Sequence, residues 1–243
     1  MESSLRITSL MEALSLKLSN QNAVFDLQTW RGGILPLSSH RTHFGYVARG
    51  HGALTVGNTA YPLISGSYFS VPGEATLVGD LVLGVVVSQH DYHGLFQVGG
   101  PIEERGRLRY IDGCSDTLLI SPVLKGDACF NLLCLPMGVN QTPHTHPSFR
   151  VGVVVSGEGE CRLEDGKSLL MCEHTLFVLP PNCLHSFHTP SAAMRVVAFH
   201  PDSDFGPTHQ NHPMINRTIV EGVSAAKLPT DTASLTRKGF SSP

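Results

Sequence analysis

Residues 1–24 place Leu5, Ile7, Leu10, Leu14 and Leu16 among polar positions at mixed, partly helical spacing. That pattern predicts a short helix or a strap over 1–28 and carries no chemical motif. From Thr29 the texture changes to short apolar runs broken by glycine and proline. Val47, Leu54, Val56, Leu63, Tyr68 and Val71 fall in such runs, and Val82–Val87 is rich in β-branched residues. A second block repeats the texture, with candidate strands at Leu118–Ile120, Phe130–Leu135, Val151–Val155, Leu169–Met171, Leu176–Leu179 and Arg195–Phe199. Short runs at even spacing, separated by turn residues, read as an all-β sandwich or barrel.

The two blocks also match in detail. Tyr46–Gly52 reads Y-V-A-R-G-H-G and Val153–Gly159 reads V-V-V-S-G-E-G. Each is followed by a strand, a turn, another strand and an apolar run ending in proline, S-G-S-Y-F-S-V-P-G in the first block and C-E-H-T-L-F-V-L-P-P-N in the second. A repeat of about 100 residues in an all-β chain predicts a duplicated barrel. The expected organisation is a first barrel over 29–100, a linker over 101–111, a second barrel over 112–200 and a tail over 201–243. The Gly-, Pro- and charge-rich stretch Gln97–Asp112 suits a linker or a crossing strand.

Composition narrows the class. The chain has 243 residues, 41 % apolar and 15 % charged, too apolar for a disordered chain and too lightly charged for a coiled coil. Its formal charge of −3 comes without a basic cluster, so nucleic acid is not an expected partner. No apolar run of about 18 residues spans a bilayer, and the start lacks the pattern of a signal peptide. The six cysteines form no C-x-x-C pair, and Cys129 and Cys134 sit in an apolar run that suits core packing. A cytoplasmic protein with reduced cysteines is the expectation.

The chemistry concentrates in the second block. Gly138–Gly157 reads G-V-N-Q-T-P-H-T-H-P-S-F-R-V-G-V-V-V-S-G, and Pro180–His185 reads P-P-N-C-L-H. An H-x-H on extended backbone puts two imidazoles on one face, because side chains alternate. A third histidine from a neighbouring strand completes a triad that leaves open positions on a metal. This block resembles the cupin superfamily. Gly138, His144, His146 and Gly157 fall in register with that family's first motif, and Pro181 and His185 with its second, Cys183 standing where glycine is usual. The likeness covers most of 112–200, with a weaker echo over 29–96. It implies two tandem jelly-roll-type barrels, a bicupin, with one divalent metal held by His144, His146 and His185.

Arg150 departs from the family's pattern, occupying the position where a metal-binding glutamate is usual. A guanidinium stays protonated and cannot ligate a metal. Cupins resembling three-histidine dioxygenases, such as those acting on cysteine or diketones, also lack that glutamate and are typically iron enzymes. The resemblance therefore implies Fe(II) first, with Mn, Ni, Zn or Cu as other occupants. A guanidinium beside a dication calls for an anion between them. Arg150 is thus a candidate catalytic and substrate-binding residue that clamps a carboxylate. Its alternatives are a structural ion pair with Glu158, Glu160 or another acid, or decay of the site. Gln141 and Phe187 are further candidates for substrate contact, Phe187 by its parity with His185. His188 has the opposite parity and is expected to be exposed. His200, His209 and His212 belong to a tail that could cap the barrel mouth, offer an extra ligand or lie in solvent.

In the first block the ligand positions fall on Leu37, Ser39, His43 and Leu77, so its metal site is degenerate. That barrel is expected to serve as scaffold, lid or dimer surface, and a homodimer would hide its apolar edges. The leading functional reading is a non-haem iron dioxygenase-like oxidoreductase acting on a small anionic substrate. A non-catalytic binding or sensory bicupin is the rival, although no helix-turn-helix accompanies it. Isomerase, hydrolase or lyase chemistry is a third possibility, since one fold hosts many reactions.

Overall fold

The computed structural model describes residues 5–228 apart from Asn22 and His209. The described residues fall into two compact units, one up to Gly206 and one from Pro207 on. Strands in the first part of the chain are β1 (Arg6–Ser9), β2 (Ser15–Asn20), β3 (Ala23–Trp30), β4 (Gly33–Leu37), β5 (Arg41–Arg49), β6 (His51–Val56), β7 (Thr59–Ile64), β8 (Tyr68–Pro72), β9 (Ala75–Gly79), β10 (Leu83–His90) and β11 (Gln97–Gly99). There follow β12 (Leu108–Arg109), β13 (Ser115–Ile120), β14 (Cys129–Leu135), β15 (Arg150–Leu163), β16 (Ser168–Cys172), β17 (Thr175–Leu179), β18 (His185–His188) and β19 (Met194–His200).

The all-β expectation holds. The earlier strands build a six-stranded sheet, ordered β11-β8-β5-β10-β3-β2, and a four-stranded one, β4-β9-β6-β7. The later strands build a nine-stranded sheet ordered β1-β17-β15-β19-β14-β13-β12, with β16 and β18 also paired to β15. Among the described residues no sheet closes on itself. The central order β8-β5-β10-β3-β2 of the first half recurs as β17-β15-β19-β14-β13 in the second.

Two glycines in each half show why the repeated sequence folds twice the same way. A Cβ on Gly45 or Gly152 would overlap the ring of Phe69 or Phe177, the residue directly opposite in the adjoining strand. Gly50 and Gly157 take positive φ, where side chains are strained, and a Cβ there would strike the carbonyl of Leu81 or Ala193. Gly152→Ala should therefore cost about 1–3 kcal/mol through overpacking, read as a lowered melting temperature. An unchanged melting temperature would mean that Phe177 has room to withdraw.

The N-terminal segment differs from expectation. It forms strands, not a helix: β1 adds to the edge of the second half's sheet by pairing with β17, while β2 and β3 belong to the first half's sheet. The expected boundary at residue 28 falls inside β3. The stretch 101–111 is not a bare linker either, because β12 pairs with β13. The two halves share one core cluster, beside a further cluster in each half. Phe25, Phe44 and Val85 pack with Phe130, Phe149, Val151 and Phe199, with ring centroids 5.3 Å apart for Phe25–Phe149 and 5.2 Å for Phe44–Phe199. Each such buried ring is worth roughly 1.5–3 kcal/mol of transfer free energy, so neither half buries its apolar sheet face alone. The compact unit runs on to Gly206, six residues past the expected end.

Cys129 and Cys134 are buried, as core packing requires, and burial pushes the Cys129 thiol up to about 12. The second unit holds a short helix, α1 (Pro213–Arg217), and a hairpin of β20 (Ile219–Val220) with β21 (Val223–Ser224). Among the described residues no helix is long and apolar enough to cross a membrane.

Candidate metal centre

His144 and His146 do not lie on a regular strand. Pro143 and Pro147 flank them, and proline cannot donate to a sheet ladder. The segment is held extended by isolated bridges, Asn140 to His188 and His144 to His185. His144 N donates to His185 O at 2.9 Å, and His185 N donates back to His144 O at 3.0 Å. This exchange, typical of a hydrogen-bonded antiparallel pair, sets the two rings 4.5 Å apart. His146 comes alongside, with its backbone carbonyl accepting from Asn182 N at 2.7 Å. One ligand atom from each of the three histidines lies within 4.8 Å of the others.

The tautomers follow from the partners. His144 Nδ1 lies 2.9 Å from Thr142 O, and His185 Nδ1 lies 2.9 Å from Cys183 O. A carbonyl only accepts, so both Nδ1 atoms carry the proton and both Nε2 atoms present a lone pair. His185 is buried, and its Nε2 has no hydrogen-bond partner. Burial, then weaker repulsion from Arg150 and the neighbouring histidines, pushes His146 down to about 3. Burial likewise takes His185 to about 4. Neutral imidazoles with convergent lone pairs are the donor set a divalent transition metal requires. These residues fit such an ion.

The triad opens onto a cavity of about 240 Å³. Gln141, Arg150, Phe187 and His200 line it, with Phe177, Leu179 and Val196 as an apolar wall. The structure thus brings Gln141, Phe187 and Arg150 to the triad. Arg150 is 8 % exposed, and its Nη1 donates to Phe149 O at 3.0 Å, to Ser148 Oγ and, at 3.4 Å, to Asp202 Oδ1. The acid beside it is therefore Asp202, neither Glu158 nor Glu160. Arg150 Nε is buried without a partner. The guanidinium has one arm in an ion pair and lines the cavity as well.

Two residues sit differently from expectation. His188 is buried, with Nε2 2.7 Å from Ser186 Oγ on the face opposite the triad, because β18 pairs with β15 over Glu160 and Arg162. His200 is the last residue of β19 and lines the cavity, 6.5 Å from His146 between ring centroids. Its period-two spacing from Val196 and Ala198 was the available signal. His212 caps α1 in the second unit, accepting from Met214 N, and His209 lies outside the described residues. Sequence reasoning also missed Asn131 and Leu108–Tyr110, which line the same cavity.

His43 is the one histidine at the corresponding ligand positions of the first half, and its ring nitrogens are both engaged. Its Nε2 lies 2.9 Å from Ser38 O and its Nδ1 2.7 Å from Ser88 Oγ. The carbonyl fixes the proton on Nε2, so Nδ1 accepts from the serine and no lone pair is left for a metal. Among the described residues the one cluster able to hold a metal is the triad.

Asp112 secures the ligand loop from the inter-half segment. Its carboxylate accepts from Thr142 N at 2.7 Å and Thr142 Oγ1 at 3.1 Å, and Thr142 O in turn orients His144. Asp112→Ala should weaken metal affinity by up to about tenfold, the low end of the range for direct partners of a ligand, because Asp112 acts through Thr142. Titration with a chelator checks this, and unaltered affinity would show that the loop holds itself.

The profile of AraC-like ligand binding domains matches residues 137–210. Comparison with curated proteins finds no match. Solved structures are similar at low identity. A cupin 2 conserved barrel domain protein from Leptotrichia buccalis superposes with TM-score 0.61 at 16 % identity, over 79 % of this chain and 89 % of that one. A variant of salicylate 1,2-dioxygenase from Pseudoaminobacter salicylatoxidans, in complex with gentisate, gives TM-score 0.59 at 10 % identity, over 83 % of each chain. The Ylba protein of E. coli gives 0.57 at 13 %, over 84 % of this chain and 93 % of that one. The fold is of cupin type.

Proposed function

We propose that this chain is a bicupin, two tandem cupin barrels, whose second half holds one divalent metal through His144, His146 and His185 and acts on a small carboxylate. Fe(II) is the first choice, with Mn, Ni, Zn or Cu as other occupants, and the activity is dioxygenase-like. A bound iron would supply Lewis acidity and one-electron redox chemistry to the cavity. The chain's own residues do the positioning. Arg150 draws a carboxylate toward the triad, Phe177 and Phe187 exclude water, and Gln141 fixes orientation. The carrying observation is the juxtaposition of three imidazoles, Nε2 of His185 buried and unpartnered, with a buried guanidinium in one cavity.

The test is metal analysis of the purified chain followed by oxygen consumption on a panel of small carboxylates. Near-stoichiometric iron with carboxylate-dependent oxygen uptake supports the enzyme. A tightly bound organic anion without turnover supports the second reading, a ligand-binding or sensory protein, which the likeness to AraC-like ligand binding domains favours. Cytoplasmic location and a homodimer belong to the same proposal. A monomer in light scattering at micromolar concentration would remove the dimer.

A further inference from the structure

Two side-chain amides line the cavity, each with one half committed and one half free. Gln141 is buried, and its Oε1 accepts from Phe187 N at 3.1 Å, while its backbone N donates to Phe187 O at 3.1 Å. Flipping the amide would set its NH₂ against the Phe187 N–H, so Nε2 is the free end, and it is buried without a partner. Asn131 is the mirror case. Its Nδ2 donates to Asp116 Oδ1 at 2.9 Å, and a flip would set oxygen against carboxylate. Its Oδ1 is therefore the free end, again buried without a partner. An unpaired buried donor and an unpaired buried acceptor each carry a desolvation cost that a matching ligand group relieves.

Their placement gives the match a direction. Asn131, Ala198, Gly152 and Phe177 are successive partners across four strands, so small residues separate the amide from the Phe177 ring. Two strand spacings put Asn131 about 10 Å from the strand that carries Arg150. A molecule of a few carbon atoms bridges what remains once both side chains reach inward.

We infer that Asn131 and Gln141 set the polarity of the ligand: a small carboxylate bearing a hydroxyl, which donates to Asn131 Oδ1 while Gln141 Nε2 donates to an acceptor oxygen. This rests on the proposed carboxylate site. A neutral hydroxyl suits the position better than an ammonium, because Arg109, Arg150 and a dication outnumber Asp116, the one carboxylate lining the cavity.

The test loads the protein with zinc, which has no redox chemistry, and measures binding of lactate against propionate and mandelate against phenylacetate by calorimetry. The intact chain should favour the hydroxylated member of at least one pair by about tenfold or more, because the deoxy analogue leaves the Asn131 oxygen unpaired. Asn131→Leu should bring that ratio to near one with zinc content unchanged. Gln141→Met should weaken both members of the pair alike and leave the ratio standing. Carboxylates that bind with no hydroxyl preference, or a preference that survives in Asn131→Leu, would overturn the inference and leave the carboxylate site intact. No binding of any of the four acids would remove both. Alanine and phenylglycine serve as amino counterparts, and their outranking the hydroxy acids would overturn the choice of hydroxyl.

Discussion

His185→Ala protein, prepared in metal-supplemented medium, should retain about a tenth or less of the metal carried by the intact chain. Loss of a mere outer partner typically costs 10–100-fold in affinity, and loss of a ligand exceeds that. Two neutral imidazoles compete poorly with water for a dication. The same result is expected for His144→Ala and His146→Ala, whose rings lie 4.5 Å and 5.2 Å from that of His185. His43→Ala provides the contrast. Its ring nitrogens are both engaged, by Ser38 O and Ser88 Oγ, so metal content should hold while the melting temperature falls. Full metal content in His185→Ala would show that the triad is not the site.

Arg150→Ala should keep its metal and lose affinity for small carboxylates by roughly 10- to 150-fold, which is about 1.5–3 kcal/mol for a hydrogen bond to a charged group. Arg150→Lys should rescue poorly, because a point charge does not reproduce the planar fork. The contact with Asp202 supplies the competing outcome. If the guanidinium serves only that acid, the alanine variant loses thermal stability and binds carboxylates as before. Asp202 also accepts from Ser148 Oγ at 2.5 Å and is partly exposed, so it is not left bare when the arginine goes. Arg150→Glu should tighten metal binding, by returning the carboxylate usual in this fold, and abolish carboxylate binding. Metal content, melting temperature and calorimetry on the three variants separate the two roles.

The histidine triad was legible because its signal is local. H-x-H and P-P-N-C-L-H each hold their residues within a few positions, and alternation of an extended chain does the rest. Gln141 and Phe187 were legible for the same reason, lying near these motifs in sequence. His188 was not, because parity assigns a face and does not say what covers it. Here the face away from the triad is closed in enough to bury the ring. The partner of Arg150 was equally hidden. Glu158 and Glu160 are near in sequence, but the long β15 leaves its first pairing with β17 and β19 and carries them toward β16 and β18. Asp202, just past the end of β19, is the acid that returns to the start of β15.

Sequence by itself determined the all-β class, the duplicated pattern and the metal-ligand candidates, since periodicity, turn residues and ligand spacing are short-range properties. Only the tertiary structure decided that one core cluster spans both halves, that β1 crosses to the second half's sheet, and that Asn131, His200 and Arg150 meet in one cavity with the triad. Those facts depend on which strand edges pair and which faces bury one another. Such choices are settled by burial of apolar surface summed over the whole chain, and no local window of residues carries that sum.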